Sequence, residues 1–200
     1  MIKNVIFDLG GVIYTFRPKE YLLKFGYSEA KADLLMERMF SGVWLEFDRG
    51  TYNRSSLIAK LRNDFPDMAE DFRRILDEDF VDNLITIMPP NLEFFYEVKR
   101  RGFKIYILTN FFDEGFAQCR KRDAFFDDAD GIVVSAHEGL VKPEPAIYQV
   151  LLERYGLVPE ESLFIDDNKL NVEAAKALGI HGIHFTGLED CKKQFEELLL

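Results

Sequence analysis

The stretch VIFDLGGV at residues 5–12 decides the fold of this chain. Its first three residues have the apolar, β-favouring character of a buried strand, Asp8 follows them directly, and Gly10 and Gly11 stop the run. Four more runs of this kind follow along the chain, at residues 103–108, 131–135, 162–165 and 180–185. The sequence therefore predicts five short strands.

Helical patterns separate most of these runs. Three of them are followed closely by a glycine, the residue favoured just after a helix C-terminus, and they cover residues 91–101, 146–155 and 172–178. Short strands that alternate with helices predict βαβ units, whose strands lie parallel and whose helices cover both faces of the sheet. We therefore predict an α/β fold with a Rossmann-like, doubly wound parallel sheet.

Residues 17–88 interrupt this alternation, because they contain no convincing strand pattern. They carry helical patterns instead, at residues 29–40 with Ser28 as a candidate N-cap, at 55–65 and at 69–84. We interpret residues 17–88 as an all-helical cap subdomain inserted after the first strand. The α/β catalytic core would then consist of residues 1–16 and 89–200.

Composition and charge limit the kinds of molecule that this chain is expected to bind. The chain has 200 residues, of which 48% are hydrophobic and 19 are Phe, enough apolar surface for a sizeable core. Its formal net charge of −10 repels phosphate backbones, so we expect neither nucleic acid nor an anionic membrane as a partner. A small anionic substrate is compatible with this charge only if the site has a local source of positive charge.

Targeting signals and cysteine frameworks are not expected. The apolar run at the start is too short for a signal-peptide core, and no later run reaches membrane-spanning length, so we expect a cytoplasmic protein. Cys119 and Cys191 are too few for a disulfide framework or a zinc site. The sequence leaves the oligomeric state open.

Chemically useful side chains follow four of the predicted strands. They are Asp8 after the first strand, Thr109 and Asn110 after the second, Lys142 between the third strand and the next helix, and Asp166 and Asp167 after the fourth. In an open parallel sheet, ligands bind at the edge formed by the carboxyl ends of the strands. Each residue alone also has a plain structural explanation as a turn, a helix entry or a cap. Together they supply the parts of one metal–phosphate site.

These residue types suit phosphoryl transfer. Mg²⁺ prefers hard oxygen ligands, and a divalent cation relieves the repulsion among three crowded carboxylates. A carboxylate such as Asp8 can attack phosphorus and form an acyl phosphate. The charge on the transferring oxygens needs donors, which Lys142, the Thr109 hydroxyl and backbone N–H groups can provide. Lys142 is also the local positive charge that an anionic substrate needs.

Four motifs resemble those of the haloacid dehalogenase (HAD) superfamily and occur in that family's order. They are FDLGGV at residues 7–12, LTN at 108–110, VKP at 141–143 and FIDDN at 164–168. The resemblance spans nearly the whole chain. The helical insertion is similar to the cap of the branch that contains small-molecule phosphatases, and WLEFDRG at residues 44–50 resembles the cap loop that reaches the active site.

The resemblance implies a role for each motif residue. Asp8 would be the nucleophile, and Thr109 and Lys142 would complete the catalytic set. The implied substrate- and phosphate-binding residues are Leu9, Gly10, Thr109, Asn110 and Lys142, with Asp48 and Arg49 from the cap loop. The implied Mg²⁺ ligands are Asp8, the Gly10 carbonyl, Asp166 and Asp167, with Asp167 bound directly and Asp166 through water.

Gly10 departs from the pattern of the family's phosphatases, most of which carry a general acid–base Asp at this position. Without a replacement, the loss would be roughly 10²–10⁴ in rate. Asp48 in the cap loop is a candidate replacement. Two alternatives follow from the glycine: a haloacid dehalogenase, since the family's dehalogenases also lack that Asp, or a non-catalytic phosphate-binding or regulatory protein.

The acidic pair Asp166–Asp167 favours a phosphatase over both alternatives. The family's dehalogenases need no metal and lack such a pair, and a non-catalytic protein has no need for crowded, mutually repelling carboxylates. Some phosphatases of this branch share the glycine-bearing motif and resemble sugar-phosphate hydrolases. The resemblance therefore implies a Mg²⁺-dependent hydrolase of a small phosphorylated metabolite, expected to be a sugar phosphate, that acts through an aspartyl phosphate on Asp8.

Overall fold

The computed structural model describes residues 1–77 and 79–199 of the chain. The strands within this part are β1 (Asn4–Phe7), β2 (Lys104–Thr109), β3 (Gly131–Val134), β4 (Ser162–Asp166) and β5 (His181–His184). They form one sheet in the order β3-β2-β1-β4-β5, and every neighbouring pair is parallel. The predicted parallel sheet is confirmed.

Helices make up most of the remaining chain. Those before β2 are α1 (Pro18–Lys24), α2 (Glu29–Met39), α3 (Gly42–Asp48), α4 (Arg54–Asp64), α5 (Ala69–Ile75), α6 (Phe80–Leu84) and α7 (Pro89–Arg100). Those after β2 are α8 (Asp113–Arg122), α9 (Ser135–Glu138), α10 (Pro145–Tyr155), α11 (Lys169–Ala177) and α12 (Leu188–Glu197). In the described part of the chain, no helix combines the length and the apolar character needed to cross a membrane.

Both faces of the sheet are buried under helices. Successive residues of a strand point to opposite faces, so Val5 and Phe7 of β1 belong to one apolar cluster and Ile6 to the other. On the first face, Phe7 packs against Phe94 and Phe95 of α7, with ring centroids 6.2 and 5.4 Å apart. On the second face, buried residues of α10 and α11 pack with Ile6. This arrangement confirms the doubly wound α/β fold.

The central position of β1 brings three strand ends together. Phe7 lies opposite Ile107 of β2 and Ile165 of β4, so the residues just beyond share one edge of the sheet. The backbone N–H of Asp8 still donates to the Ile165 carbonyl, at 2.9 Å. Asp8 is therefore held at the carboxyl edge by the sheet itself.

The described residues between Pro18 and Leu84 form helices, a short 3₁₀ turn and connecting loops, without a strand. Ser28 caps α2 as predicted, because its side chain accepts a hydrogen bond from the Lys31 N–H at 3.3 Å. The division of the chain into a core of residues 1–16 and 89–200 and a cap of residues 17–88 stays a prediction.

The prediction of one helix over residues 69–84 was wrong, because α5 and α6 are separate helices. Leu76 leaves the helical region directly after α5, and the Asp77 side chain accepts a hydrogen bond from the Asp79 N–H at 3.1 Å. Such local side-chain bonds compete with helix continuation. The short helices α1 and α3 were not predicted, and most of the predicted loop at residues 44–50 belongs to α3.

An aromatic cluster joins α3 and α6 to the start of α8. Phe47 of α3 stacks on Phe112, with ring centroids 4.1 Å apart and planes inclined by 14°. Phe80 of α6 stacks on the same Phe112 ring at 5.5 Å, and Trp44 meets it edge-on at 6.0 Å. Because Phe112 follows β2 by only a few residues, this cluster holds the inserted helices above the carboxyl edge of the sheet.

We predict that Phe47→Ala lowers the free energy of unfolding by about 3–5 kcal/mol, because it removes a fully buried ring and leaves a cavity. Urea titration followed by circular dichroism measures the loss. Val158→Ala, at a position that is 47% exposed, is the control and should change the value by less than about 0.5 kcal/mol. A Phe47→Ala protein as stable as this control would contradict the role of the cluster.

Candidate active site

A buried ion network around Lys142 occupies the carboxyl edge of the sheet. The Lys142 Nζ atom lies 2.8 Å from Asp8 Oδ1 and 2.6 Å from Asp166 Oδ2, and it donates to the Leu108 carbonyl at 3.0 Å. Lys142 is only 2% exposed, and Asp166 is fully buried. The three partners match the three protons of the ammonium group.

Pairing keeps the buried lysine charged. An unpaired ammonium group inside a protein is costly, and burial alone would lower the pKa of Lys142. The Asp166 and Asp8 carboxylates outweigh burial and raise the pKa of Lys142. Burial and the charge of Asp166 raise the pKa of Asp8, while Lys142 acts in the opposite direction. The network therefore holds more negative charge than one lysine neutralises.

Asp8, Asp166 and Asp167 form a carboxylate cluster that fits a divalent cation. Each offers one oxygen, and these oxygens lie within 4.8 Å of one another. Partial burial and the neighbouring Asp166 raise the pKa of the Asp167 carboxyl, because both disfavour its charged form. Three hard oxygen donors at this spacing are ligands of the kind that Mg²⁺ prefers.

Asp166 and Asp167 differ in how firmly they are held. The Asp166 oxygens accept hydrogen bonds from Lys142 Nζ, from the Asn168 N–H at 2.7 Å and from Asn171 Nδ2 at 3.1 Å. Asp167 lies on the cavity floor, and in the described part of the chain no other side chain donates a hydrogen bond to its carboxylate. Within the described residues, the buried Asn171 Oδ1 has no hydrogen-bond partner, so an acceptor is also left for a bound water or substrate.

The two glycines after Asp8 have different steric surroundings. Gly11 has φ +71°, and a Cβ there would lie 2.1 Å from Asp167 Oδ2, so only glycine lets this turn lie against the acid. A Cβ at Gly10 would meet nothing within 4 Å. Packing therefore does not require a glycine at position 10, and open space lies where the resemblance places the general acid–base Asp.

The second predicted motif holds the lysine segment. Asn110 Oδ1 accepts the Lys142 N–H at 2.8 Å, and Asn110 Nδ2 donates to the Lys142 carbonyl at 3.0 Å. This two-way clamp fixes the backbone from which the lysine side chain extends. Thr109, at the end of β2, is 1% exposed and lines the same cavity.

Asp48 enters the site from the last turn of α3. It is 8% exposed and lines the cavity together with Asp8 and Lys142. Burial raises the pKa of Asp48 to about 8, and the charge of Asp8 adds to this effect. Its backbone carbonyl accepts a hydrogen bond from Ser135 Oγ at 2.5 Å, which ties α3 to the start of α9, directly after β3. Asp48 is therefore a buried, mostly protonated acid at neutral pH.

Arg49, predicted to bind substrate, lies outside the cavity lining. Its guanidinium forms two hydrogen bonds to the Glu144 carboxylate, at 3.0 and 2.7 Å, and one to Glu46 at 3.1 Å. It also donates to the Gly139 carbonyl at 3.3 Å. These partners belong to α3 and to the loop before α10, so Arg49 ties the inserted helices to the sheet domain beside the cavity.

The cavity has a volume of about 200 Å³ and two chemically different ends. Its polar floor is lined by Asp8, Thr109, Asn110, Lys142, Asp167 and Asn171. Its apolar walls are lined by Phe16, Trp44, Val81, Leu84, Ile85 and Phe112. Leu9 and Gly10 also line the cavity, whereas Asp166 lies behind the floor. The structure thus brings together the predicted residues of all four motifs.

Sequence reasoning missed Asn171 and the apolar walls. Asn171 follows Asn168 by three residues at the start of α11, and this helical spacing was the available signal for a second polar contact. Phe112 follows the second motif within three residues. The wall residues of α6 carry no comparable signal, because their position depends on how the inserted helices pack.

Comparison with known proteins places this geometry in a family. A family model described as a haloacid dehalogenase-like hydrolase matches residues 2–179. The chain is 29% identical to the sesquiterpene phosphatase astK of Aspergillus oryzae, over 92% of this chain and 90% of that protein. It is 26% identical to the D-ribitol-5-phosphate phosphatase of Bacteroides thetaiotaomicron, over 90% of this chain and 89% of that protein.

The fold comparison agrees with this assignment. The structure of a HAD family enzyme from Bacteroides thetaiotaomicron, solved as a magnesium complex, is similar with a TM-score of 0.74 and 25% sequence identity. The similarity covers 97% of this chain and 98% of that one. The chain is therefore a member of the haloacid dehalogenase-like hydrolase family, and an enzyme of the hydrolase class.

Proposed function

We propose that this hydrolase is a Mg²⁺-dependent phosphomonoesterase that acts on a small phosphorylated metabolite through an aspartyl phosphate on Asp8. The observation that carries the proposal is the buried Lys142 between Asp8 and Asp166, with Asp167 beside them on the cavity floor. Relatives that are named as phosphatases support it.

The chain's own residues account for both halves of the reaction. An Asp8 oxygen attacks phosphorus, the bond between phosphorus and the ester oxygen breaks, and the alcohol leaves with a proton. Water then cleaves the aspartyl phosphate, which returns Asp8 and releases inorganic phosphate. The Thr109 hydroxyl faces the same cavity and can donate to the phosphoryl oxygens, and Lys142 can donate to them with the proton that points toward Asp8. Lys142 also supplies the local positive charge that a net charge of −10 makes necessary.

The acidic cluster supports a role for Mg²⁺. Asp8, Asp167 and the Gly10 carbonyl would hold the ion directly, and Asp166 would contact it through a water molecule. When bound, the ion would neutralise charge on the phosphoryl oxygens. The need for a cation separates this proposal from a haloacid dehalogenase, for which an acidic pair after β4 has no use.

Asp48 is our candidate for the acid that Gly10 does not supply. It lines the cavity that contains Asp8, and burial raises its pKa to about 8, so it carries a proton at neutral pH. A group in this state can protonate the leaving oxygen and afterwards, as a carboxylate, take a proton from the attacking water. The hydrogen bond between the Asp48 carbonyl and Ser135 fixes its backbone relative to the sheet.

We predict that EDTA lowers the turnover of 4-nitrophenyl phosphate by at least about 100-fold and that Mg²⁺ restores it, because three carboxylates repel the substrate without a cation. Mg²⁺ should also raise the temperature of thermal unfolding, and Asp167→Asn should reduce this shift. Asp113→Asn, on the exposed surface of α8, is the matched control. Full activity in EDTA, or hydrolysis of 2-chloropropionate instead, would favour the dehalogenase.

We predict that Asp48→Asn lowers kcat/KM on an alkyl phosphate by about 10²–10⁴-fold and kcat/KM on 4-nitrophenyl phosphate much less, because this ratio reports the phosphorylation step and a nitrophenolate leaves without a proton. In the same variant, a sugar 1-phosphate should be hydrolysed faster than the matching 6-phosphate. Gly10→Asp in the Asp48→Asn background should restore alkyl phosphate turnover, since position 10 has open space. Equal losses of kcat/KM on both esters would show that Asp48 does not act as the acid.

A further inference from the structure

The cavity separates the two halves of a phosphate ester. Asp8 and Lys142 define where the phosphoryl group must lie, on the polar floor. The alcohol half then faces the opposite walls, which come mainly from α3, α6 and the segments beside them. The chemistry of these walls therefore selects the alcohol.

Hydrocarbon and aromatic side chains make up most of these walls. Trp44 of α3, Val81 and Leu84 of α6, and Ile85 just after it line the cavity from the inserted helices. Among the described residues that the insertion contributes to the lining, Asp48 is the one acid, and it has no basic companion. A sugar finds few hydrogen-bond partners on such a surface.

Two polar groups near the walls are already engaged elsewhere. The Tyr14 hydroxyl donates to Asp123 Oδ2 at 2.5 Å, although the Tyr14 ring lines the cavity. The Arg49 guanidinium is held by Glu144 and Glu46. Sugar hydroxyls that lose water against these walls would be left without partners, which is costly, whereas an apolar group gains from the same burial.

The size of the cavity limits the alcohol. Its volume of about 200 Å³ is below the roughly 300–1,000 Å³ that is typical of pockets for larger ligands. The floor must also hold the phosphoryl group. Because the cavity is partly open, this volume limits only the enclosed part of the alcohol, and a short branched chain or a single aromatic ring fills that space.

We infer that the substrate is the monophosphate of a short apolar alcohol, such as a five-carbon branched or a benzylic alcohol. This inference rests on the proposed function and replaces the sugar phosphate expected from the resemblance. The phosphoryl group lies at Asp8 and Lys142, and the apolar group packs against Trp44, Leu84 and Ile85.

A pair of matched esters tests the inference. 3-Methylbutyl phosphate and ribose 5-phosphate are both five-carbon phosphates of primary alcohols, but only the second carries further hydroxyl groups. With Mg²⁺ present, kcat/KM should be at least about tenfold higher for 3-methylbutyl phosphate, since its alkyl group is buried against apolar walls. An equal or higher kcat/KM for ribose 5-phosphate would overturn the inference and leave the proposed phosphatase intact.

Substitutions of residues in the apolar walls identify which part of the cavity causes the preference for the alkyl ester. Leu84→Asn places an amide of similar size on the wall and should reduce the ratio of the two kcat/KM values at least about threefold, because it removes apolar contact. Leu45→Asn, at an exposed position of α3 outside the lining, is the matched control and should leave the ratio unchanged. The ratio does not depend on the fraction of folded enzyme, so a less stable variant still gives a valid result.

The remaining outcomes are also decisive. An unchanged ratio in Leu84→Asn would overturn the assignment of the alcohol to this wall. If neither ester nor 4-nitrophenyl phosphate is hydrolysed with Mg²⁺, the proposed phosphatase function fails, and the inference fails with it.

Discussion

The buried ammonium group of Lys142 is the constraint on which the site depends. Lys142 is only 2% exposed, and its charge is tolerated because carboxylate oxygens of Asp8 and Asp166 lie 2.8 and 2.6 Å from its Nζ atom. That pairing requires β1 and β4 to be neighbours in the sheet, and it requires the Lys142 side chain to extend past the end of β2. The same arrangement brings Asp167 close to Asp8, so the cation and the acidic cluster follow from one topology.

The inserted helices complete the site through a few specific contacts. Ser135 Oγ binds the Asp48 carbonyl, and Arg49 pairs with Glu144. These polar contacts act beside the stacked rings of Phe47 and Phe112. Together they set the distance between Asp48 and the sheet edge and bring apolar walls over a charged floor. Under the proposed function, the inserted helices contact the alcohol half of the substrate, and the residues at the sheet edge carry out the reaction.

The sequence predicted the parallel sheet and the residues that meet at its carboxyl edge, because acids and glycines at strand ends are local signals and a parallel sheet brings these ends together. It did not predict the break between α5 and α6, where the Asp77 side chain competes with the helix. It also could not show that Arg49 faces Glu144 rather than the cavity, or that Val81 and Leu84 line it. Those facts depend on how amphipathic helices pack, which the periodicity of apolar residues does not specify.

Direct detection of the phosphoryl group on Asp8 tests the central claim most sharply. The enzyme is mixed with Mg²⁺ and 4-nitrophenyl phosphate, quenched in acid during turnover, digested with pepsin and analysed by mass spectrometry. We predict a phosphoryl group on the peptide that contains Asp8, and none when Asp8→Asn is treated in the same way. Sustained turnover with the phosphoryl group on another residue, or Asp8→Asn turning over at the native rate, would contradict the account.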